Sequence, residues 1–127
     1  MNVLFVCVGN QGRSVLAERL FRAQTTEHAA RSAGAAPGRA PHPEVLAVLG
    51  ELGIDASDHV PTQLDGQLLD WADVVVATCD GVCPATPGKQ RFDWAVADPM
   101  GRPLAEVRAI RDEVGGRVGR LVAELSR

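Results

Sequence analysis

A cysteine and an arginine, Cys7 and Arg13, border a short loop near the start of the chain that contains Gly9 and Gly12. The glycines allow the backbone to turn with its N–H groups facing inward. Such a loop at the start of a helix binds tetrahedral oxyanions, and it favours the reactive thiolate form of a cysteine. The guanidinium of Arg13 can hold two oxygens of the anion at once. The spacing predicts a nucleophile, an anion cradle and a clamp in one loop.

The other side chains of this loop are expected to bind the anion or to stabilise the loop. The Ser14 hydroxyl can donate a hydrogen bond to the Cys7 thiolate, and Asn10 can stabilise the loop through side-chain hydrogen bonds. A different interpretation makes Cys7 a small buried residue at the end of a strand. The predicted anion-binding residues are Val8, Gly9, Asn10, Gln11, Gly12, Arg13 and Ser14.

Two further cysteines, Cys79 and Cys83, are separated by three residues. They could form half of a metal site or be unrelated thiols, but one pair without a second cluster makes a poor zinc site. In a helical turn their Cα atoms would lie roughly 6 Å apart, a distance that a disulfide can span. The spacing therefore favours a redox-active pair.

The carboxyl group of Asp98 is the candidate general acid, which would protonate a departing hydroxide. Asp98 precedes Pro99, and this dipeptide is also a common way to open a turn. Its position after a predicted strand favours the catalytic interpretation.

Strand-like segments alternate with helical patterns, and this order predicts an α/β fold. The expected architecture is a three-layer, doubly wound sandwich, in which a four-stranded parallel sheet carries helices on both faces. Ligands of such sheets bind at the carboxyl ends of the strands, where Cys7 and Cys79 would meet. The strands are expected at 3–8, 29–33, 74–78 and 92–96, and the helices at 13–23, 42–53, 65–71 and 104–125.

Two of the helices carry more detailed expectations. The apolar stripe of the first helix predicts that Glu18, Arg19 and Arg22 face outward. Three glycines in the last helix are expected to weaken it, because glycine is a poor helix former. They are Gly115, Gly116 and Gly119.

Length and composition are those of one domain, 1–127, with a single core. The net charge of −3 argues against nucleic acid or an anionic membrane as the main partner. No apolar run approaches the ~20 residues of a membrane-spanning helix, and the start of the chain lacks the pattern of a signal peptide. We expect a cytoplasmic monomer. Its three cysteines then indicate catalysis, redox cycling or metal binding rather than structural disulfides.

The segment 7–14 resembles the phosphate-binding loop of the low-molecular-weight protein tyrosine phosphatases. It resembles equally the loop of the thioredoxin-coupled arsenate reductases that are built on the same fold. The resemblance covers essentially the whole chain. Its further parts are Ser32-Ala33-Gly34, His42-Pro43, Gly53-Ile54-Asp55, Asp98-Pro99 and the segment 107–113.

Two features of the sequence favour the reductase branch. The first is the pair Cys79 and Cys83, which that branch uses as a relay, although the better-known reductases have a longer spacer between these cysteines. The second is the absence of tyrosine from the chain, with Met100 following the Asp-Pro pair. The phosphatases usually carry aromatic residues there, so the slot for a phosphotyrosine ring is missing.

The resemblance implies reduction of arsenate to arsenite. Cys7 would attack arsenic, Asp98 would protonate the hydroxide, Cys79 would attack Cys7, and Cys83 would attack Cys79. Thioredoxin, an external dithiol, would reduce the final disulfide, and no bound cofactor is needed. Phosphate or sulfate would compete with arsenate.

No metal site is predicted. The three histidines, His28, His42 and His59, lack the spacing of metal ligands and are expected at the surface or at helix caps. Some relatives bind potassium near the loop, at positions matched here by Asn10, Glu18 and Ser32. Thr62 stands where such a relative has an acidic residue.

Two other functions remain open. A low-molecular-weight phosphatase would act through a phosphate ester of Cys7 and would not need Cys79 or Cys83. Because phosphate and arsenate have nearly the same shape, weak phosphatase activity is expected in either case. A non-catalytic oxyanion binder or redox sensor could use the same loop.

Overall fold

The computed structural model describes residues 1–79 and 86–127, and in these ranges strands and helices alternate as predicted. Most element boundaries lie within three residues of those expected. The strands are β1 (Asn2–Cys7), β2 (Ala29–Gly34), β3 (Val74–Ala77) and β4 (Gln90–Asp93). The helices are α1 (Arg13–Gln24), α2 (Pro43–Gly50), α3 (Gly66–Trp71) and α4 (Leu104–Leu125).

The four strands form one parallel sheet in the order β2-β1-β3-β4. Strand β1 lies in the interior of the sheet, between β2 and β3, and its apolar residues are buried on both faces. The chain adds β2 on one side of β1 and then β3 on the other side. The strand order therefore reverses at the carboxyl ends of β1 and β3, which is where ligands bind in open α/β sheets.

Helices cover both faces of the sheet, as expected. Val3 and Phe5 of β1 point into a large apolar cluster with residues of α1, α2 and α4. Leu4 and Val6 point the other way, into a smaller cluster that includes Leu68 of α3. This alternation follows from the two-residue period of a strand, and it confirms the predicted doubly wound architecture.

Helix α4 is unbroken across its glycines, because two of them face α1. A side chain at Gly119 would approach Gln24 Oε1 to 3.2 Å, and one at Gly115 would lie 4.0 Å from Leu20 Cδ1. Gln24 also donates a hydrogen bond to the carbonyl of Gly115 at 3.3 Å. These glycines have a low helix propensity, and they also let α1 and α4 pack closely.

The largest differences from the predicted bounds are in β4, which ends at Asp93 rather than at residue 96, and in α2. Strand β4 begins at Gln90 rather than at residue 92, because Gln90 already pairs with Val74 of β3. Helix α2 ends at Gly50, and the chain then turns through Gly53, which has a φ of 76°. Because the apolar periodicity of the sequence extends past Gly50, the helix predicted from it is longer than the helix in the structure.

No helix in the described parts of the chain, 1–79 and 86–127, is long and apolar enough to cross a membrane.

Candidate active site

The loop between β1 and α1 is anchored through hydrogen bonds that its carbonyl groups accept from a neighbouring segment. Backbone N–H groups of the connection between β2 and α2 donate to four of them, over distances of 2.8–3.1 Å. In a trans peptide the N–H points away from the carbonyl of the same plane. The loop amides therefore face inward, as the sequence predicts. The four pairs are Ala35 with Cys7, Ala36 with Val8, Gly38 with Gly9, and His42 with Gln11.

Asn10 is the centre of the loop, and it is fully buried. Its φ of 52° lies in the left-handed region, which asparagine tolerates better than most residues. In that conformation its N–H lies 3.2 Å from Cys7 Sγ. Its side chain donates to Ser14 Oγ at 2.8 Å and accepts from the backbone N–H of Thr62 at 2.9 Å. These bonds confirm the predicted stabilising role of Asn10.

The sulfur of Cys7 is buried, and Ser14 Oγ lies 2.9 Å from it. Because Ser14 Oγ already accepts a hydrogen bond from Asn10, its own proton is free to point at the sulfur. With the N–H of Asn10, two donors are aimed at Cys7 Sγ. These two contacts at the sulfur support the nucleophilic interpretation of Cys7.

His59 belongs to the site, contrary to the expectation of a surface or capping role. It is buried, and its Nε2 lies 2.8 Å from the carbonyl oxygen of Asn10. A carbonyl oxygen only accepts, so Nε2 carries a proton. His59 thus binds the carbonyl of Asn10, which the β2–α2 connection does not bind, while the carbonyl of Gly12 accepts from the N–H of Leu16 within α1. Its partner is 49 residues away along the chain, so no local spacing in the sequence marks it.

A cavity of about 240 Å³, here called the Cys7 cavity, opens on the inner face of the loop. It brings together three predicted catalytic groups, those of Cys7, Arg13 and Asp98. Its wall is completed by Val8, Gly9, Gln11, Gly12, Ala36, His42 and Met100.

Asp98 lies in an exposed turn at the mouth of this cavity. Its Oδ1 accepts from the N–H of Met100 at 3.0 Å, and its carbonyl accepts from Arg102 Nε at 2.6 Å. The turn also leans on the loop, because a side chain at Gly12 would come within 2.9 Å of Pro99 Cγ. Asp98 is therefore a turn residue that also lines the cavity, so the turn interpretation and the catalytic interpretation are compatible.

A second cavity of about 240 Å³, here called the Cys79 cavity, lies beside the first. Thr78 follows β3 and bonds through both its N–H and its Oγ1 to the carbonyl of Val6, at 2.8 and 2.9 Å. The next residue, Cys79, is buried at this sheet edge, as predicted. Arg13 borders both cavities, and its guanidinium donates to the carbonyl of Val96 at 3.4 Å. Cys83 lies outside the described residues.

The expectation that Glu18, Arg19 and Arg22 all face outward is wrong for Glu18 and also for Arg19, whose side chain is only 11% exposed. The carboxylate of Glu18 is buried and accepts from Ser32 Oγ at 2.5 Å, while Arg22 Nε lies 3.0 Å and Arg19 Nε 3.4 Å from its other oxygen. Two arginines thus balance its charge. Within the residues that the structure describes, no group of three or more His, Cys, Asp or Glu could hold a metal ion.

Clear pKa shifts occur away from the cavities, where the end of α2 meets α4. Glu51 accepts hydrogen bonds from Arg108 Nε at 2.9 and 3.0 Å and from Arg111 at 2.8 Å. The bond from Arg108 is the main reason that the pKa of Glu51 lies below its usual range, and Arg111 adds to it. The same contact raises the pKa of Arg108. This cluster links α4 to the end of α2.

Comparison with known proteins matches residues 2–127 to the family described as low molecular weight phosphotyrosine protein phosphatase. Among curated proteins, the chain is 32% identical to an arsenate reductase of Brevibacillus brevis, over 91% of this chain and 90% of that protein.

Two solved structures extend the comparison. A thioredoxin-dependent arsenate reductase of Corynebacterium glutamicum is 35% identical, with a TM-score of 0.84 over 99% of this chain. This chain spans 63% of the length of that protein. The YwlE arginine phosphatase of Geobacillus stearothermophilus is 32% identical, with a TM-score of 0.88 over 98% of this chain and 92% of its own. The fold is therefore shared by reductases and phosphatases.

Proposed function

This chain belongs to the low-molecular-weight phosphotyrosine protein phosphatase family, and on that premise we propose that it is an arsenate reductase. Residues 1–127 would act as one catalytic domain. The curated relative from Brevibacillus brevis and the structural neighbour from Corynebacterium glutamicum, both named arsenate reductases, support this choice within the family.

The observation that carries the proposal is the position of Arg13 between the two cavities. Arg13 lines both the Cys7 cavity and the Cys79 cavity. A phosphatase needs a nucleophile, a clamp and an acid, but it has no use for a second thiol behind the clamp. A reductase does, because a second thiol must reach the first sulfur to take the oxidised group from it.

The mouth of the Cys7 cavity also supports a small inorganic substrate. In the described parts of the chain, the wall of this cavity contains no phenylalanine or tryptophan, and the sequence has no tyrosine. A phosphotyrosine ring would find no aromatic surface on which to pack. A bare tetrahedral oxyanion needs none.

The proposed first half of the reaction takes place in the Cys7 cavity. The loop amides and Arg13 bind arsenate as they would any tetrahedral oxyanion. The thiolate of Cys7 attacks arsenic, and a sulfur–arsenic bond forms as hydroxide departs. Asp98 gives its proton to the hydroxide, which leaves as water.

The second half transfers electrons. The thiolate of Cys79 attacks Cys7 Sγ, the sulfur–arsenic bond breaks, and its electron pair stays on arsenic, which leaves as arsenite. The two sulfurs are oxidised to a disulfide. Cys83 then attacks Cys79, so that Cys7 is released as a thiolate and the disulfide moves to Cys79 and Cys83.

An external dithiol protein completes the cycle, and we propose thioredoxin as that partner, in a cytoplasmic setting that keeps thiols reduced. The name of the corynebacterial neighbour supports thioredoxin. The proposed enzyme is a monomer, binds no cofactor and is inhibited by phosphate or sulfate, which compete for the loop.

The test is arsenate-dependent NADPH oxidation in the presence of thioredoxin and thioredoxin reductase. The wild-type chain should turn over repeatedly, and Cys7→Ser should be inactive. Cys83→Ser should release one arsenite per chain and then stop, because its Cys7–Cys79 disulfide cannot move on. Repeated turnover of Cys83→Ser with thioredoxin would exclude the relay.

Hydrolysis of an aryl phosphate separates the reductase from the phosphatase alternative. Cys79→Ser should lose arsenate reduction and keep whatever weak hydrolysis the wild-type chain has. A chain that hydrolyses aryl phosphates or phosphoarginine efficiently, and releases no arsenite, would be a phosphatase. One that binds arsenate but consumes no thiols would be an oxyanion binder.

A further inference from the structure

His42 lines the Cys7 cavity, although the sequence predicts only a surface or capping role. Its backbone begins α2: its N–H donates to the carbonyl of Gln11, and its carbonyl accepts from Val45 and Leu46. Its side chain forms no cap on that helix. Within the described parts of the chain, no hydrogen bond involves its ring nitrogens. The ring nitrogens of a residue that lines the cavity are thus not engaged in a hydrogen bond with the described part of the protein.

The loop is shaped to bring this ring close. Gly12 has no side chain, and a Cβ at that position would lie 3.3 Å from His42 Cδ2 and 2.9 Å from Pro99 Cγ. The glycine therefore lets His42 and the turn of Asp98 approach the loop together. The edge of the ring that includes Cδ2 also carries Nε2, which can donate or accept a hydrogen bond.

The position of His42 corresponds to one end of the substrate. When a thiolate attacks a tetrahedral oxyanion in line, three oxygens stay in the amide cradle, and the fourth points away from the sulfur to the mouth. The mouth is formed by the exposed residues of the cavity wall, which are Val8, Ala36, Asp98 and Met100, together with the half-buried His42. In an ester the fourth oxygen carries an organic group, whereas in arsenate it is a bare hydroxyl or oxide.

We propose that His42 is a substrate-binding residue that hydrogen-bonds the outward oxygen of arsenate and selects an inorganic oxyanion over an organic phosphate ester. This inference rests on the proposed function. His42 and Asp98 hold the same oxygen, so the hydroxide that leaves is already aligned with its proton donor. A polar ring at the mouth also takes the space in which an ester group would lie.

The test compares variants at this one position. His42→Phe keeps a ring of similar size and removes the hydrogen bond, so kcat/KM for arsenate should fall roughly tenfold or more, the loss expected for one hydrogen bond to a charged ligand. His42→Gln, whose amide can replace Nε2, should recover most of that loss. Hydrolysis of an aryl phosphate should not fall in His42→Phe, so the ratio between the two substrates changes.

The matched control is His28→Phe, because His28 contacts the chain ends, Met1 and Ser126, rather than the cavity. It should leave both activities unchanged. Equal loss of both activities in His42→Phe, or equal behaviour of the Phe and Gln variants, would overturn the inference, since a structural role predicts those results. The urea midpoint of unfolding should stay the same in the His42 variants, because the backbone bonds of His42 remain.

A binding measurement separates this inference from the proposed function. In a Cys7→Ser background, which cannot react, arsenate affinity is measured by calorimetry with and without His42→Phe. A roughly tenfold weaker affinity supports the role of His42 even if the wild-type chain proves not to reduce arsenate. An unchanged affinity together with an unchanged substrate ratio rejects it, even if the chain is a reductase.

Discussion

The Cys7 cavity has an inner half and an outer half that are held in different ways. The inner half is the loop with Cys7, Asn10 and Ser14, which are buried and joined by hydrogen bonds of 2.8–3.2 Å. The outer half is the mouth with His42, Asp98 and Met100, and Met100 is 61% exposed. The inner half presents fixed amides to any tetrahedral anion. The outer half contacts the outward oxygen, which is bare in arsenate and carries an organic group in a phosphate ester. We therefore expect the outer half to determine which substrate is used.

The largest expected effect is in the outer half, at Asp98. Asp98→Asn removes the proton donor, and kcat for arsenate should fall by about 10²–10⁴. An aryl phosphate with an acidic phenol needs little protonation and should lose much less. Steady-state kinetics with both substrates measures the difference. The exposed Asp70→Asn is the control and should leave both unchanged. Equal losses for both substrates would contradict a special role for Asp98 in hydroxide departure.

A smaller effect is expected in the inner half, at Asn10. Asn10→Ala loses two side-chain hydrogen bonds, so kcat/KM should fall about 10–100-fold, and by the same factor for arsenate and for an aryl phosphate. Asn10→Gly loses the same bonds but adopts a positive φ easily. It should be more stable than Asn10→Ala by roughly 1 kcal/mol in urea unfolding. A change in the ratio of the two substrates would show that the halves are not independent.

Gly34 tests the support behind the inner half. A Cβ there would lie 2.5 Å from the carbonyl oxygen of Val8 and 2.9 Å from the nitrogen of Asn10. Gly34→Ala should therefore cost about 1–3 kcal/mol of unfolding free energy. It should also lower both activities together. Gly50→Ala is the matched control, since nothing lies within 4 Å of that position. If both variants are equally stable, the loop can move away from β2 and is less rigid than proposed.

The smallest effect is expected outside both halves, at Glu51. Because its pKa is lowered by Arg108 and Arg111 in the folded state, its contribution to stability is present above the unfolded pKa and disappears as pH falls through the folded value. The urea midpoints of wild type and Glu51→Gln should differ at neutral pH and converge once the pH falls below the lowered, folded-state pKa of Glu51. The substrate ratio should not change. Convergence at high pH instead would contradict a lowered pKa of Glu51 in the folded state.

Much of the fold could be predicted from local pattern. Strand β1 is buried on both faces, so its sequence is a continuous apolar run. Helix α4 is buried on one face, so its apolar residues recur with the helical period. Both patterns could be recognised in the sequence. Boundaries were harder. The start of β4 depends on pairing with β3, and the end of α2 depends on a turn at Gly53, neither of which is visible in apolar periodicity.

The site divides in a similar way. Cys7, Arg13 and Ser14 are close in sequence, so their cooperation could be predicted. Asp98 could be predicted as a candidate, but its approach to the loop depends on Gly12, which only the structure shows. His59 was missed because its contact with the loop is long-range.

Glu18 was misassigned for a different reason. Its sequence position places it with the polar residues of α1. In the structure its buried carboxylate accepts a hydrogen bond from Ser32 of β2 and forms ion pairs with two arginines. Helical periodicity describes which face is apolar, and it says little about a charge that finds partners on a neighbouring strand.

The outward bonds of the loop carbonyls have a consequence for protein engineering. Four of them end on the connection between β2 and α2, so the anion cradle is a composite of two segments rather than a transferable peptide. Moving residues 7–14 alone onto another β-strand and helix would leave those carbonyls free to rotate toward the ligand. A successful transplant must carry the partner segment, residues 34–42, as well. Insertions in that exposed connection should be tolerated less well than its position on the surface suggests.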